Sequence, residues 1–151
     1  CMMELVYECS YGAELEPERL AVGPGPFGTR VVRTVKSGWC KGKRLNGRLA
    51  GAGGDWLLFG ADGFGRIDVR AQLVTDDGAV IYLSYNGLLE RNARVVAAVD
   101  GGETQFEDQY FRTLVRMETG APAYAWVNTT LFVGRGRMAA GGVEYQIFRI
   151  T

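Results

Sequence analysis

The chain has 151 residues, with 17 Lys+Arg against 17 Asp+Glu and no histidine. That length suits one domain, able to bury about 70% of its unfolded surface. Zero net charge leaves no electrostatic footprint for nucleic acid or an anionic membrane, and the missing histidine removes the usual zinc ligand, hydrolase base and neutral-pH proton shuttle.

In chain order, alternating and β-branched patterns predict strands over Glu4–Cys9, Thr29–Val35, Gly42–Leu49, Trp56–Phe59, Arg66–Thr75, Val80–Asn86, Gln109–Met117, Tyr124–Val133 and Val143–Ile150. Asn46-Gly47, Asp62-Gly63, Asp77-Gly78, Asn86-Gly87 and Asp100-Gly101 read as turns, because Asn/Asp-Gly supplies the positive φ a hairpin needs. Leu88–Val99 is the best helix candidate and reads equally as a strand. Ala21–Gly28, with Pro24 and Pro26, and the acidic Asp100–Asp108 read as loops. Many short strands joined by tight turns predict an all-β, single antiparallel β-barrel over 1–151 with at most one short helix, a sandwich being the other form open to such strands.

No stretch approaches the roughly 20 apolar residues of a membrane span. The opening CMMELVYECS carries Glu4 and Glu8 and no basic region, so it does not read as a signal peptide. Cys1, ahead of Met2-Met3, is read as a processing remnant. Three cysteines (Cys1, Cys9, Cys40) without a CxxC fit reduced thiols and a cytoplasmic location.

Gly23-Pro24-Gly25-Pro26-Phe27-Gly28 matches GxGxxG by letter, but two prolines interrupt it and a β-branched run comes next where a dinucleotide site needs a helix. Gly134-Arg135-Gly136-Arg137 reads as an exposed turn, and Asp100, Glu103, Glu107 and Asp108 as a solvated acidic loop. No cofactor and no metal is expected.

The polar positions of the alternating strands are the candidates for chemistry. In Arg66–Thr75, Ile67, Val69, Ala71 and Leu73 alternate with Arg66, Asp68, Arg70 and Gln72. Tyr110, Arg112, Leu114 and Arg116 share another face, and Tyr124, Trp126, Asn128, Thr130 and Phe132 a third. One reading has Asp68, Arg70, Tyr82, Arg112, Trp126 and Asn128 converge inside the barrel; the other leaves them outside as a salt-bridge ladder of little worth. Alternation alone does not say which face is inside. Gly53-Gly54 reads as a turn, with Asp55-Trp56 facing a cavity.

These residues together resemble the domain of unknown function family 3237, also called uncharacterised protein family 0311. The likeness runs through Met3-Glu4-Leu5, Gly28-Thr29-Arg30, Gly38 with Gly42, Leu45-Asn46-Gly47, Gly53-Gly54-Asp55-Trp56 and Asp68-Val69-Arg70. It continues through Thr75–Tyr82, Tyr110-Phe111-Arg112, Tyr124–Asn128 and Phe132-Val133-Gly134. The resemblance implies an antiparallel barrel of calycin or allene-oxide-cyclase-like form, assembled into homo-oligomers, and no established activity. Here Gly53-Gly54 abut Asp55 directly, and Ser37-Gly38 stands where the family tends to have a glycine pair.

Three functions fit. The first is a cofactor-free isomerase, cyclase or lyase acting on a small carbonyl-bearing apolar or aromatic molecule. In it Asp55 or Asp68 is the base and Tyr82 the proton donor. Arg70, Arg112 and Asn128 hold the oxyanion, and Trp56, Tyr124 and Trp126 form apolar wall. The second is a non-catalytic binder of a hydrophobic acid; the third is an oligomeric structural protein.

Overall fold

Among the described residues eight strands pair antiparallel, each with its sequence neighbour, and the last closes on the first. They are β1 (Leu5–Gly25), β2 (Gly28–Gly42), β3 (Gly47–Phe59), β4 (Phe64–Thr75), β5 (Val80–Glu90), β6 (Phe111–Glu118), β7 (Phe132–Ala139) and β8 (Gly142–Ile150). The computed structural model describes residues 2–151, so the reading of Cys1 lies outside it. The chain is thus an all-β closed barrel. Its one α-helix among the described residues, α1 (Ala93–Ala98), is capped by Asn92, whose side chain accepts the Val95 N–H. No helix of the described residues is long and apolar enough to cross a membrane.

β4 shows how the barrel chooses its inside. Gly65, Ile67, Val69, Ala71, Leu73 and Thr75 are buried, while Asp68 and Arg70 between them are exposed. The apolar parity faces the axis because burying the charged parity would strip two arginines and an aspartate of water without partners. The same rule sorts β5 and β6, where Ile81, Leu83, Tyr85, Leu89, Phe111, Val115 and Met117 all join the core.

Both ends are plugged. At one, the β2–β3 turn puts Leu45 fully inside, and a 3-10 helix (Pro122–Thr129) between β6 and β7 adds the fully buried Val127. At the other, α1 lays Val95 over the core. Close approach explains one glycine of β7. A Cβ on Gly136 would meet the Phe111 ring at 2.7 Å, so that ring packs directly on backbone.

Several expected elements are corrected. Ala21–Gly28 is no loop but the far end of a long β1–β2 hairpin. There Pro24 sits on strand edge, and β1 absorbs Pro17 where the register shifts between Leu15 and Arg19. Gly42–Leu49 is the end of β2, a turn and the start of β3. Asn86-Gly87 continues β5, paired with Leu114 and Thr113, and Gly134–Arg137 lies within β7. Leu88–Glu90 belong to β5, leaving only Ala93–Ala98 helical. Tyr124–Thr129 is 3-10 helix, entered through Pro122, which suits a first helical turn.

The stretch Gly53-Gly54 is not a turn either. It lies inside β3, where the register against β4 shifts between Ala50 and Gly54, and Gly51 takes φ +75°. Gln72 Nε2 donates to the carbonyls of Ala50 (3.1 Å) and Ala52 (2.6 Å), holding this bulge in place. A bulge re-aims the strand beyond it, and just beyond this one stands Asp55.

Candidate functional site

β3 turns Asp55 inward and Trp56 outward. Asp55 is 7% exposed and stands in register between Arg33 of β2 and Val69 of β4. Its Oδ1 accepts the backbone N–H of Asp68 at 3.1 Å, yet no ion pair to it forms among the described residues. Burial is the main effect on its carboxyl, pushing it from 3.8 up to about 7; the Asp68 N–H and the Arg33 charge pull the other way.

Arg33 takes its direction from its parity. Val31 and Val35, two residues to either side, pack against the core, so the side chain between them shares that inner face. Its Nη2 donates to the Glu16 carbonyl at 3.1 Å, while Nε is buried with no partner among the described residues. Burial first, and the Arg19 charge second, lower its affinity for the proton.

Below this pair lies a cluster of three tyrosines from β1, β5 and β8. Tyr11 and Tyr145 stack at 5.7 Å between ring centroids, and Tyr85 stands edge-on to Tyr145 at 5.3 Å. The Tyr85 hydroxyl donates to the Tyr11 hydroxyl at 3.5 Å. Burial holds all three phenols above their ordinary range, and the Asp55 charge adds to the effect on Tyr11 and Tyr145. The tyrosines line a central cavity with Cys9, Cys40, Thr113 and Met117, of about 20 Å³ for the centre of a water molecule, room for about one. Cys9 and Cys40 are free thiols, and the facing Cys40, then burial, drive Cys9 far up.

Thr113 is 2% exposed and its Oγ1 has no hydrogen-bond partner among the described residues. An unpaired buried hydroxyl costs on the order of 1 kcal/mol or more, so isosteric Thr113→Val is expected to raise Tm by about 2–4 °C in a thermal melt. A fall in Tm would mean that the hydroxyl has a partner in solution.

The candidate site residues are split three ways. Asp55 alone lies inside. Trp56 is 42% exposed and rests on the outer side over Gly54, while Asp68, Arg70, Tyr82 and Arg112 stand on the exposed faces of β4, β5 and β6. This corrects their convergence within the barrel: the inner parity of those strands is the apolar one. Tyr124, Trp126 and Asn128 lie at the Leu45 end, where helix geometry breaks the face they were expected to share. Tyr124 donates to Asp77 at 2.8 Å, and Trp126 lies under the Arg44 guanidinium at 3.6 Å. Asn128 brackets Thr119, accepting its N–H at 2.8 Å and donating to its carbonyl at 2.9 Å. Arg33, Tyr11, Tyr85 and Tyr145 were missed. The available signal was a charged residue sharing the parity of Val31 and Val35 in Val31-Val32-Arg33-Thr34-Val35.

A family described as "Protein of unknown function (DUF3237)" matches residues 3–150. A UPF0311 protein of Clostridium acetobutylicum is 34% identical over 127 residues, 82% of this chain and 79% of its own. Among solved structures, a conserved protein of unknown function from Rhodopseudomonas palustris superposes with a TM-score of 0.90 at 24% identity, over 100% of this chain and 99% of that one. A β-barrel-like protein from Acinetobacter baumannii gives 0.86 at 28% identity, over 100% and 98%. More distantly, an enzyme from Penicillium herquei shares the fold, with a TM-score of 0.69 and 20% identity over 99% and 94%. The barrel, the near-complete match and the identity to the clostridial protein agree: the chain belongs to the DUF3237 family, also called UPF0311.

Proposed function

We propose that the barrel interior is a small-molecule site in which Asp55 moves a proton next to a carbonyl, the chemistry of an isomerase, cyclase or lyase. The observation that carries this is a buried carboxyl, without an ion pair among the described residues, pushed up to about 7. A base poised near the working pH is the most effective one, and such a group inside a fold is a candidate for function. Ionised Asp55 accepts the proton from carbon. Tyr11 or Tyr145, whose phenols feel the Asp55 charge, donates a hydrogen bond to the enolate oxygen, and Arg33 adds its charge. These replace Tyr82, Arg70, Arg112 and Asn128 in the roles expected from sequence. That a protein of this fold from Penicillium herquei is described as an enzyme supports chemistry over carriage. Because the void has room for about one water, an organic guest displaces side chains, and unbranched Met117 on the wall is the one best able to yield.

The test is hydrogen–deuterium exchange at the α-carbon of a panel of aryl ketones and β-diketones, monitored by NMR in D2O near pH 8. At least one compound is expected to exchange faster with the protein, and Asp55→Asn to lose about 100-fold or more of that acceleration. Exchange at the buffer rate across the panel, or an Asp55→Asn variant as active as wild type, would overturn the reading.

A further inference from the structure

We infer that Arg19 and Arg33 form an anion subsite at the α1 end of the barrel, shaped for the carboxylate of an aryl acid and held in the resting chain by the carboxylate of Asp100. This rests on reading the interior as a small-molecule site, and it names the class of molecule that enters. The two arginines are direct register partners on the β1–β2 hairpin, and Asp55 is the partner of Arg33 on the next strand. Residues opposed in register share a face, so Arg19, Arg33 and Asp55 form one row from the rim into the interior.

Like charges directly opposite one another destabilise a sheet. The mutual effect is visible here, since Arg19 is among the causes that lower Arg33. Among the described residues, one of the two is matched by a carboxylate. Arg19 Nη2 binds Asp100 Oδ1 at 3.1 Å, and Asp100, just beyond α1, is 87% exposed. Among the described residues Arg33 donates to the Glu16 carbonyl alone, with its buried Nε left over. A planar carboxylate arriving between the two guanidiniums takes up that donor, and arginine's fixed fork suits the carboxylate's two oxygens. To bind Arg19 it displaces Asp100, an exposed group that loses little by returning to water. The apolar cavity and its tyrosines lie further in, where an aromatic body goes.

The experiment compares benzoate with benzamide, a neutral analogue of the same shape, by titration calorimetry or ligand-observed NMR. Wild type is expected to bind benzoate at least about tenfold more tightly than benzamide. Arg19→Gln and Arg33→Gln should each erase that preference, and Arg33→Lys should retain part of it. Asp100→Asn, which removes the internal competitor, should tighten benzoate about three- to tenfold and leave benzamide unchanged. Because Arg33 also ties down Glu16, the exposed Arg19→Gln and Asp100→Asn variants keep the test readable if Arg33→Gln folds poorly. Equal binding of the two compounds, no binding of either, or a preference that survives Arg19→Gln would overturn the subsite. α-Carbon exchange without a benzoate preference sinks the subsite alone; a benzoate preference without exchange sinks the acid–base reading alone.

Discussion

Asp55→Asn is expected to stabilise the protein, and by an amount that grows with pH. The folded carboxyl titrates near 7 and the free side chain near 3.8. Between those values the folded state holds a proton that the unfolded chain has released. Stability therefore falls as pH rises through this window and levels off above about pH 7. The whole window corresponds to roughly 4 kcal/mol, and the part of it between about pH 5 and pH 7 to about 3 kcal/mol. Asn keeps an oxygen that accepts the Asp68 N–H and never ionises. Urea unfolding of the two proteins should thus give free energies that diverge by about 3 kcal/mol between about pH 5 and pH 8, with the variant ahead. Parallel curves would show that Asp55 is not the desolvated group. Asp62, held down to about 2 chiefly by its hydrogen bond from Arg66, titrates below this window and does not blur the comparison.

That a stabilising change should remove the proposed base is a consequence of the same physics. A carboxyl kept from water is costly to ionise, and that cost is what brings its affinity for the proton near neutrality. The glycine-rich bulge that precedes Asp55 fixes which way it faces. Gly51 takes a positive φ and Gln72 holds the distorted carbonyls, after which the parity resumes with Asp55 inside. The stretch GAGGDW carries the glycines of this device but not its register, so Gly53-Gly54 could pass for a hairpin turn.

β4 was readable nearly to the residue, because period-2 alternation over about ten positions has one structural solution. Its inward side was not. Alternation is symmetric between the faces, and only the energy of burying Asp68 and Arg70 breaks the tie. At Tyr124–Phe132 the alternation of large and polar residues was accidental. Pro122 and the alanines around Tyr124 favour a helical turn, and Asn128 spends its side chain on Thr119. Arg19 lies in a stretch for which no strand is predicted between Cys9 and Thr29, whereas β1 bulges around Pro17 and continues. Arg33 sits in a β-branched run whose apolar majority marks a strand without marking the one charged side chain it turns inward. Which cross-strand partners Arg19, Arg33 and Asp55 acquire depends on register, and register is a property of the closed barrel rather than of any segment.

At the opposite end, Arg44→Ala is expected to cost more than Glu8→Gln, although the two remove halves of one ion pair. Glu8 is the desolvated member, with its side chain 4% exposed, while that of Arg44 is 43% exposed. Arg44 grips both carboxylate oxygens of Glu8, and Arg149 reaches it only at 3.6 Å. Removing Arg44 leaves a buried carboxylate with that one distant partner and also strips the guanidinium from the face of Trp126. The expected loss is about 3 kcal/mol, the lower end for orphaning a buried charge, since Arg149 remains. Glu8→Gln instead neutralises the buried group, keeps an acceptor for Arg44, and leaves a cation that can turn toward water, at a cost of about 1 kcal/mol. The double variant Glu8→Gln/Arg44→Ala should then be more stable than Arg44→Ala alone, because no charge is left buried. Urea unfolding of the four proteins of this cycle, read through tryptophan fluorescence, checks the order. If Arg44→Ala and Glu8→Gln cost the same and the double variant is simply their sum, the carboxylate of Glu8 is not buried in solution and the pair is an ordinary surface bridge.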